Sequence, residues 1–299
     1  MSRAVVVAYL ACALIWGTTW YAIRVCIGPG GFPTLLALAL RFALAALVLL
    51  PLALRTRSRP SGATWAWLVL AGILDAGGYL LVYLGEERVS GAVAAVVYGT
   101  QPLILALGLT AVRLERLTRE HVLGAVISLG GVVVLFLDRL DVSARQAAGL
   151  AMVVGSVVVS TTYSMILKRH AGRVHTVVAT TIFIAVTALV VGVVALIAGE
   201  PVPWPPPAGP TAALVYLALV GSVIAFLAYF WLLERTTLLV SSTLVFVYPL
   251  VAIAVDALFE RELPLGPRAY VGAAITLAGL AVSLVRVAPA ESPRPERPG

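Results

Sequence analysis

The sequence predicts an all-α integral membrane protein with ten transmembrane helices arranged as two inverted five-helix repeats. Three observations predict it. Of the 299 residues, 61% are hydrophobic and only 12% are charged, against about 25% charge in a soluble domain, and the mean hydropathy is +1.02. Apolar stretches long enough to cross a bilayer recur along the whole length. The second half of the chain also repeats the first at a nearly fixed offset.

The apolar stretches read as helices over 4–24, 33–54, 64–85, 90–112, 120–137, 147–167, 175–198, 211–233, 238–259 and 268–287. The connections are short, which leaves no room for a soluble domain. The longest, E-P-V-P-W-P-P-P-A-G-P at 200–210, reads as a stiff linker, because consecutive prolines favour an extended backbone. Arg3 before an apolar run imitates a signal peptide. That run is too long, holds Trp16, Trp20 and Tyr21, and offers no small-residue cleavage site, so it reads as a retained first helix. The tail 288–299 is Pro-rich and charged, which predicts disorder.

Basic residues orient the bundle. With the N-terminus inside, six (Arg24, Arg88, Arg139, Arg145, Arg261, Arg268) fall outside and Arg41 lies within helix 2. The other fourteen of the 21 fall inside, a positive-inside bias that puts both termini in the cytoplasm. The net charge of +7 is therefore a topology signal, with the inner loops near anionic lipid headgroups. No soluble basic face exists for nucleic acid. Cys12 and Cys26 are about 21 Å apart along one helix, too far for a bridge. His121, His170 and His175 fall at cytoplasmic helix ends, where solvated roles are favoured over metal binding. No metal or cofactor is expected.

Placing Pro249 over Pro102, an offset of 147, brings other residues into line. Glu87-Arg88 meets Glu234-Arg235, Ala71 meets Ala218, Leu80 meets Leu227 and Glu115 meets Glu262. One inserted residue later, G-A-V-I-S-L-G-G (124–131) meets G-A-A-I-T-L-A-G (272–279), and G-T-T-W (17–20) meets S-T-T-Y (160–163). The repeats are thus 1–145 and 146–287, five helices each. An odd number of crossings inserts the second upside down, the plan of many secondary transporters.

W-G-T-T at 16–19, Pro102 followed by L-E-R-L-T at 114–118, and the Gly-rich helix after it resemble the EamA family of the drug/metabolite transporter superfamily. The pattern recurs in weaker form at Pro249, Glu262 and Gly272, and the resemblance covers residues 4–287. It implies ten helices, cytoplasmic termini, a bacterial-type inner membrane, and a central cavity lined by helices 1, 3, 4, 6, 8 and 9. It leaves the substrate open, since members carry amino acids, other metabolites or drugs. The chain departs from the pattern at Val159-Ser160, which stands where W-G is expected, and at Arg113, where a small residue is usual.

Two prolines and two charges carry the functional reading. Pro102 and Pro249 interrupt equivalent helices. Each removes a backbone hydrogen bond, which lipid tolerates only where protein or a cavity receives the freed carbonyl. Paired breaks of this kind point to a transporter's binding site; packing kinks are the alternative. Arg41 lies about 12 Å, and Asp75 about 15 Å, from the outer ends of helices 2 and 3. A charge at that depth costs about 2.5–3.5 kcal/mol. The two are read as a static ion pair or as a coupling site, with Asp75 the candidate proton or cation switch. An arginine at Arg41 also resembles a family feature, which favours a structural role there.

Asp75, Tyr79 and Tyr83 share one helix face, and Tyr98 and Gln101 precede Pro102. Trp16 and Thr19, then Ser160, Thr161 and Tyr163, and then Phe226 and Tyr248 complete an expected aromatic wall with a few hydroxyls, suited to a small amphipathic organic molecule. Helix–helix hydrogen bonds and packing are the alternative roles. Glu115 and Glu262 read as helix caps or gates, and Asp256 as solvated. The Gly124–Ser128 and Gly272–Thr276 spacings permit close helix packing within the bundle or in a homodimer.

The leading reading is a secondary transporter, most plainly an exporter of a small metabolite, with lipid and the small-molecule substrate as its partners. No nucleotide-binding loop, H-E-x-x-H or buried Ser-His pair supports an ATPase or a membrane enzyme. A passive channel needs rings of like residues, which one chain supplies only by oligomerising.

Overall fold

The computed structural model describes residues 2–86, 88, 97–112, 118–137, 147–259 and 267–284. Its helices follow the expected order: α1 Arg3–Ile27, α2 Thr34–Arg55, α3 Gly62–Glu86, α4 Gln101–Val112, α5 Arg119–Phe136, α6 Ala147–His170 and α7 Thr176–Ala198. Then come α8 Ala208–Arg235, α9 in two pieces, Leu238–Ser242 and Leu244–Phe259, and α10 Pro267–Leu284. The fold is all-helical among the described residues. Glu87, Glu115, Glu262 and the tail 288–299 lie outside them, as does the Asp256 side chain.

Local chemistry sets the helix ends. Ser2 caps α1 by accepting from Val5 N, Thr118 caps α5 at His121 N, and Thr237 caps α9 at Val240 N. These are the oxygen side chains that satisfy orphan amides best. Gly199, at φ 63°, closes α7 by donating to Ala195 O and Leu196 O, a left-handed turn that only glycine makes without cost. The N-cap of α2 is Pro33, which has no side-chain oxygen to offer. Its first turn is completed from afar, as Leu36 N donates to Glu200 Oε2 at 2.7 Å. Lys168 likewise closes the last turn of α8 by donating to Leu233 O and Thr236 O.

Among the described residues, six helices are long and apolar enough to cross a membrane by length and composition: α1, α2, α3, α6, α7 and α8. Shorter apolar helices follow at Leu238–Val251 and Tyr270–Ser283. The outer faces of the bundle expose Leu10, Leu47, Leu107, Leu189 and Leu196, as lipid-facing surfaces require. Cys12 and Cys26 are buried free thiols.

Helices of the first half pack chiefly on helices of the second: α5 with α10, α2 with α7, α3 with α6, and α1 with α8 and α9. The α5–α10 seam shows the relation in detail. Gly124 faces Gly279 O and Ser283, while Gly131 faces Gly272 O and Thr276. Gly272 lies 148 residues after Gly124, and Gly279 lies 148 after Gly131. Exchanging the halves therefore turns the first contact pair into the second, which is an antiparallel crossing about a two-fold axis. Ser128 Oγ donates to Thr276 O at 3.1 Å across it. The small-residue spacings serve packing within the bundle.

The seam admits no methyl group. A Cβ on Gly124 would sit 2.5 Å from Ser283 N, while one on Gly130 would meet nothing within 4 Å. Gly124→Ala is expected to cost about 1–3 kcal/mol by overpacking and Gly130→Ala close to nothing. Thermal unfolding of both variants in detergent checks the difference.

Candidate functional site

Two buried polar bridges tie the centre of the bundle together. Ser222 lies 147 residues after Asp75, so the two occupy equivalent places in α3 and α8. Each is held from the α2–α7 layer. Asp75 is 1% exposed and accepts from Thr187 Oγ1 of α7 at 3.0 Å, with Tyr163 close by. Ser222 accepts from Arg41 Nε of α2 at 2.9 Å. Arg41, 2% exposed, also donates to Gly221 O at 3.4 Å, and the Phe42 and Tyr79 rings lie 5.3 and 5.5 Å from its guanidinium carbon.

The direct ion pair that similar depth suggests is not formed. Arg41 and Asp75 remain within electrostatic reach of each other, but each keeps its own neutral partners. Tyr79, one turn beyond Asp75, instead offers its ring to Arg41.

Gly221 and Ser222 sit in a π-helical turn, Leu219–Ile224, inside α8. The Ala225 N–H is shared between Ser222 O and, five residues back, Val220 O, whereas in an α turn it would serve Gly221 O. Gly221 O accepts from Trp16 Nε1 at 3.3 Å and from Arg41. Sequence reasoning missed this turn, as well as Thr187 and Tyr229. Thr187 carried a signal, being a hydroxyl deep in a very apolar helix.

Beside the bridges lies an aromatic chamber. Trp16 makes edge contacts with Phe226, Tyr229 and Tyr248 at 5.5, 5.2 and 5.7 Å. Tyr163 lies within electrostatic reach of Tyr79, Tyr98 and Tyr229, and Tyr248 of Tyr79 and Tyr229. The rings therefore converge from α1, α3, α6, α8 and α9, and from Tyr98 just before α4. Trp16, Tyr79, Tyr98, Gln101, Tyr163 and Tyr248 stay half-buried, so each keeps part of its surface accessible.

The expected hydroxyls are placed differently. Thr19 and Thr161 are buried and bond their own helices, at Trp16 O and Val157 O. Ser160 is buried, and it accepts from Gln101 Nε2 at 3.1 Å. Tyr98 OH pairs with Ser156 Oγ at 2.5 Å, and Tyr83 and Phe226 are buried in the core. Both prolines are buried. The helix breaks fall at Gly99–Thr100, just before Pro102, and at Thr243, six residues before Pro249. Pro102 lines a separate small cleft with His121, Leu239, Thr243 and Ser283.

The histidines have local roles. His121 bonds Thr118, His170 stacks on Trp67, and His175 Nδ1 accepts from Val177 N. Among the described residues, no three His, Cys, Asp or Glu side chains gather as metal ligands would.

Membrane-length helices paired across a two-fold seam, with charged and aromatic side chains enclosed at the centre, define the class of membrane transport proteins built from inverted repeats. Residues 3–137 and 147–285 each match the EamA-like transporter family, and the chain belongs to that family. It is 28% identical over 249 residues to the uncharacterized inner membrane transporter YedA of Escherichia coli K12, covering 82% of this chain and 79% of that protein. It is 27% identical over 251 residues to the protein PecM of Dickeya dadantii, covering 83% and 82%. A Streptantibioticus cattleyicolor protein named "Probable terminal-alkyne amino-acid exporter" is 28% identical over 281 residues, covering 91% of each chain. A solved crystal structure superimposes with a TM-score of 0.79 over 95% of this chain and 98% of its own, at 22% identity; that likeness carries the fold.

Thr187→Val removes a buried donor from the Asp75 carboxylate. It is expected to cost about 1–3 kcal/mol, while Thr187→Ser stays near the parent. Thermal unfolding of the pair checks this.

Proposed function

We propose that the protein is a secondary exporter that moves a small amphipathic metabolite, of amino-acid size and type, across the inner membrane by alternating access. The aromatic chamber carries this reading. Trp16, Tyr79, Tyr98, Gln101, Tyr163 and Tyr248 present ring faces, hydroxyls and an amide between helices of both halves. Such a lining suits a ligand that is part apolar and part polar. The relative named for a terminal-alkyne amino acid supports an unsaturated amino acid among the first compounds to try.

Asp75 is the coupling residue in this reading. It is an acid enclosed beside the chamber, with a hydroxyl donor from α7 and Arg41 within electrostatic reach. A proton arriving from one side neutralises it; its departure to the other restores the carboxylate. Both termini are cytoplasmic, by the basic residues of the inner connections.

Purified protein in sealed vesicles is expected to catalyse saturable counterflow of labelled leucine, phenylalanine or propargylglycine. Flux linear in concentration would mark a channel, and a changed compound an enzyme. Asp75→Asn is expected to keep counterflow and to lose accumulation driven by a pH gradient at least tenfold. Parent-like accumulation at every gradient makes Asp75 structural. Reporter fusions after Arg59 and after Glu200 are expected on the inside and outside respectively, and the same side for both removes the orientation.

A further inference from the structure

We infer that Arg41 is a positioning residue for transport: it clamps the π turn of α8 and, through Gly221 O, holds Trp16 as a wall of the chamber. The inference rests on the transport reading above. It begins from where the donors of Arg41 point. Nε goes to Ser222 Oγ and Nη2 to Gly221 O, two consecutive residues within the π turn. A planar guanidinium fork reaches both at once, which a point-like ammonium does not.

Three further observations fit a clamp better than charge balance or ligand contact. Asp75 is held by Thr187, while the Arg41 donors go to Ser222 and Gly221, so Arg41 is not committed to it. The guanidinium is 2% exposed and lies against the Phe42 and Tyr79 rings, so no ligand touches it in this state. The equivalent segment of α3, residues 72–77, is ordinary α-helix, with Thr187 on Gly72 O and on Asp75. Only the Arg41-bound copy is widened.

The π turn holds one residue more than the α turn it replaces. Rewinding it would rotate the following segment by about 100° and carry Phe226 and Tyr229 away from Trp16, which both now touch. Gly221 O receives donors from Arg41 and Trp16 together. A substrate that draws the indole N–H toward itself therefore leaves the turn on Arg41 alone.

The test compares the parent with Arg41→Lys, Arg41→Gln and Ser222→Ala in lipid nanodiscs and in vesicles. Hydrogen exchange of the amides at 221–226 is read beside that of the α5–α10 seam, and phenylalanine counterflow gives KM and Vmax. Arg41→Lys is expected to speed exchange at 221–226 at least tenfold, leave the seam within twofold, and raise KM at least fivefold with Vmax within twofold. Ser222→Ala, which keeps the charge and deletes one partner, moves the same readings the same way by a smaller factor. It decides the matter if the Arg41 variants do not fold.

Parent-like exchange and KM in Arg41→Lys overturn the clamp in favour of simple charge. Faster exchange in the seam as well overturns it in favour of general fold support. Local exchange that rises in a protein whose parent form carries no phenylalanine leaves the clamp standing and removes phenylalanine as a substrate. Counterflow that persists with unchanged exchange removes the clamp and leaves the transport reading intact.

Discussion

A guanidinium enclosed among apolar helices needs hydrogen-bond acceptors, and the centre of this protein is built around supplying them to Arg41. A buried charge is tolerated only when paired or fully hydrogen-bonded. Ser222 Oγ and Gly221 O provide the acceptors, and the Phe42 and Tyr79 rings cover the guanidinium. Widening α8 into a π turn is what presents that carbonyl. The same carbonyl then anchors Trp16, and Trp16 organises Phe226, Tyr229 and Tyr248. The aromatic chamber thus follows from the solvation of one charge.

Chemical asymmetry is laid over geometric symmetry. At the α5–α10 seam the halves are nearly interchangeable, glycine opposite glycine. At the centre they are not. Equivalent positions hold Asp75 and Ser222, and the α2–α7 layer answers the first with a neutral hydroxyl and the second with a cation. The two-fold scaffold thus carries unlike residues at matched positions, each with its own polar partners.

The spans were legible because crossing a bilayer demands some twenty apolar residues, a signal that no local accident imitates. The seam was legible for a similar reason: Gly124 and Gly272 recur with the same neighbours, and close helix approach leaves few residue choices. Arg41 and Asp75 stood out against apolar surroundings. Their partners did not. Thr187 and Asp75 lie 112 residues apart, and nothing local to either names the other. The π turn was invisible because hydropathy and helix propensity hardly register one residue wound more loosely. Nor does the sequence show that the Thr19 and Thr161 hydroxyls donate to their own helix backbones.

The carboxylate of Glu200 bears on how the molecule comes to be built. It completes the first turn of α2, a helix that begins at Thr34, yet the ribosome adds it only after α7 is made. Until then the α2 entrance lacks this acceptor, and its orphan amides depend on water or headgroups. Assembly therefore has a closing event written into its order. When the seventh span settles and its trailing acid reaches back, the entrance of a helix made much earlier is fastened late.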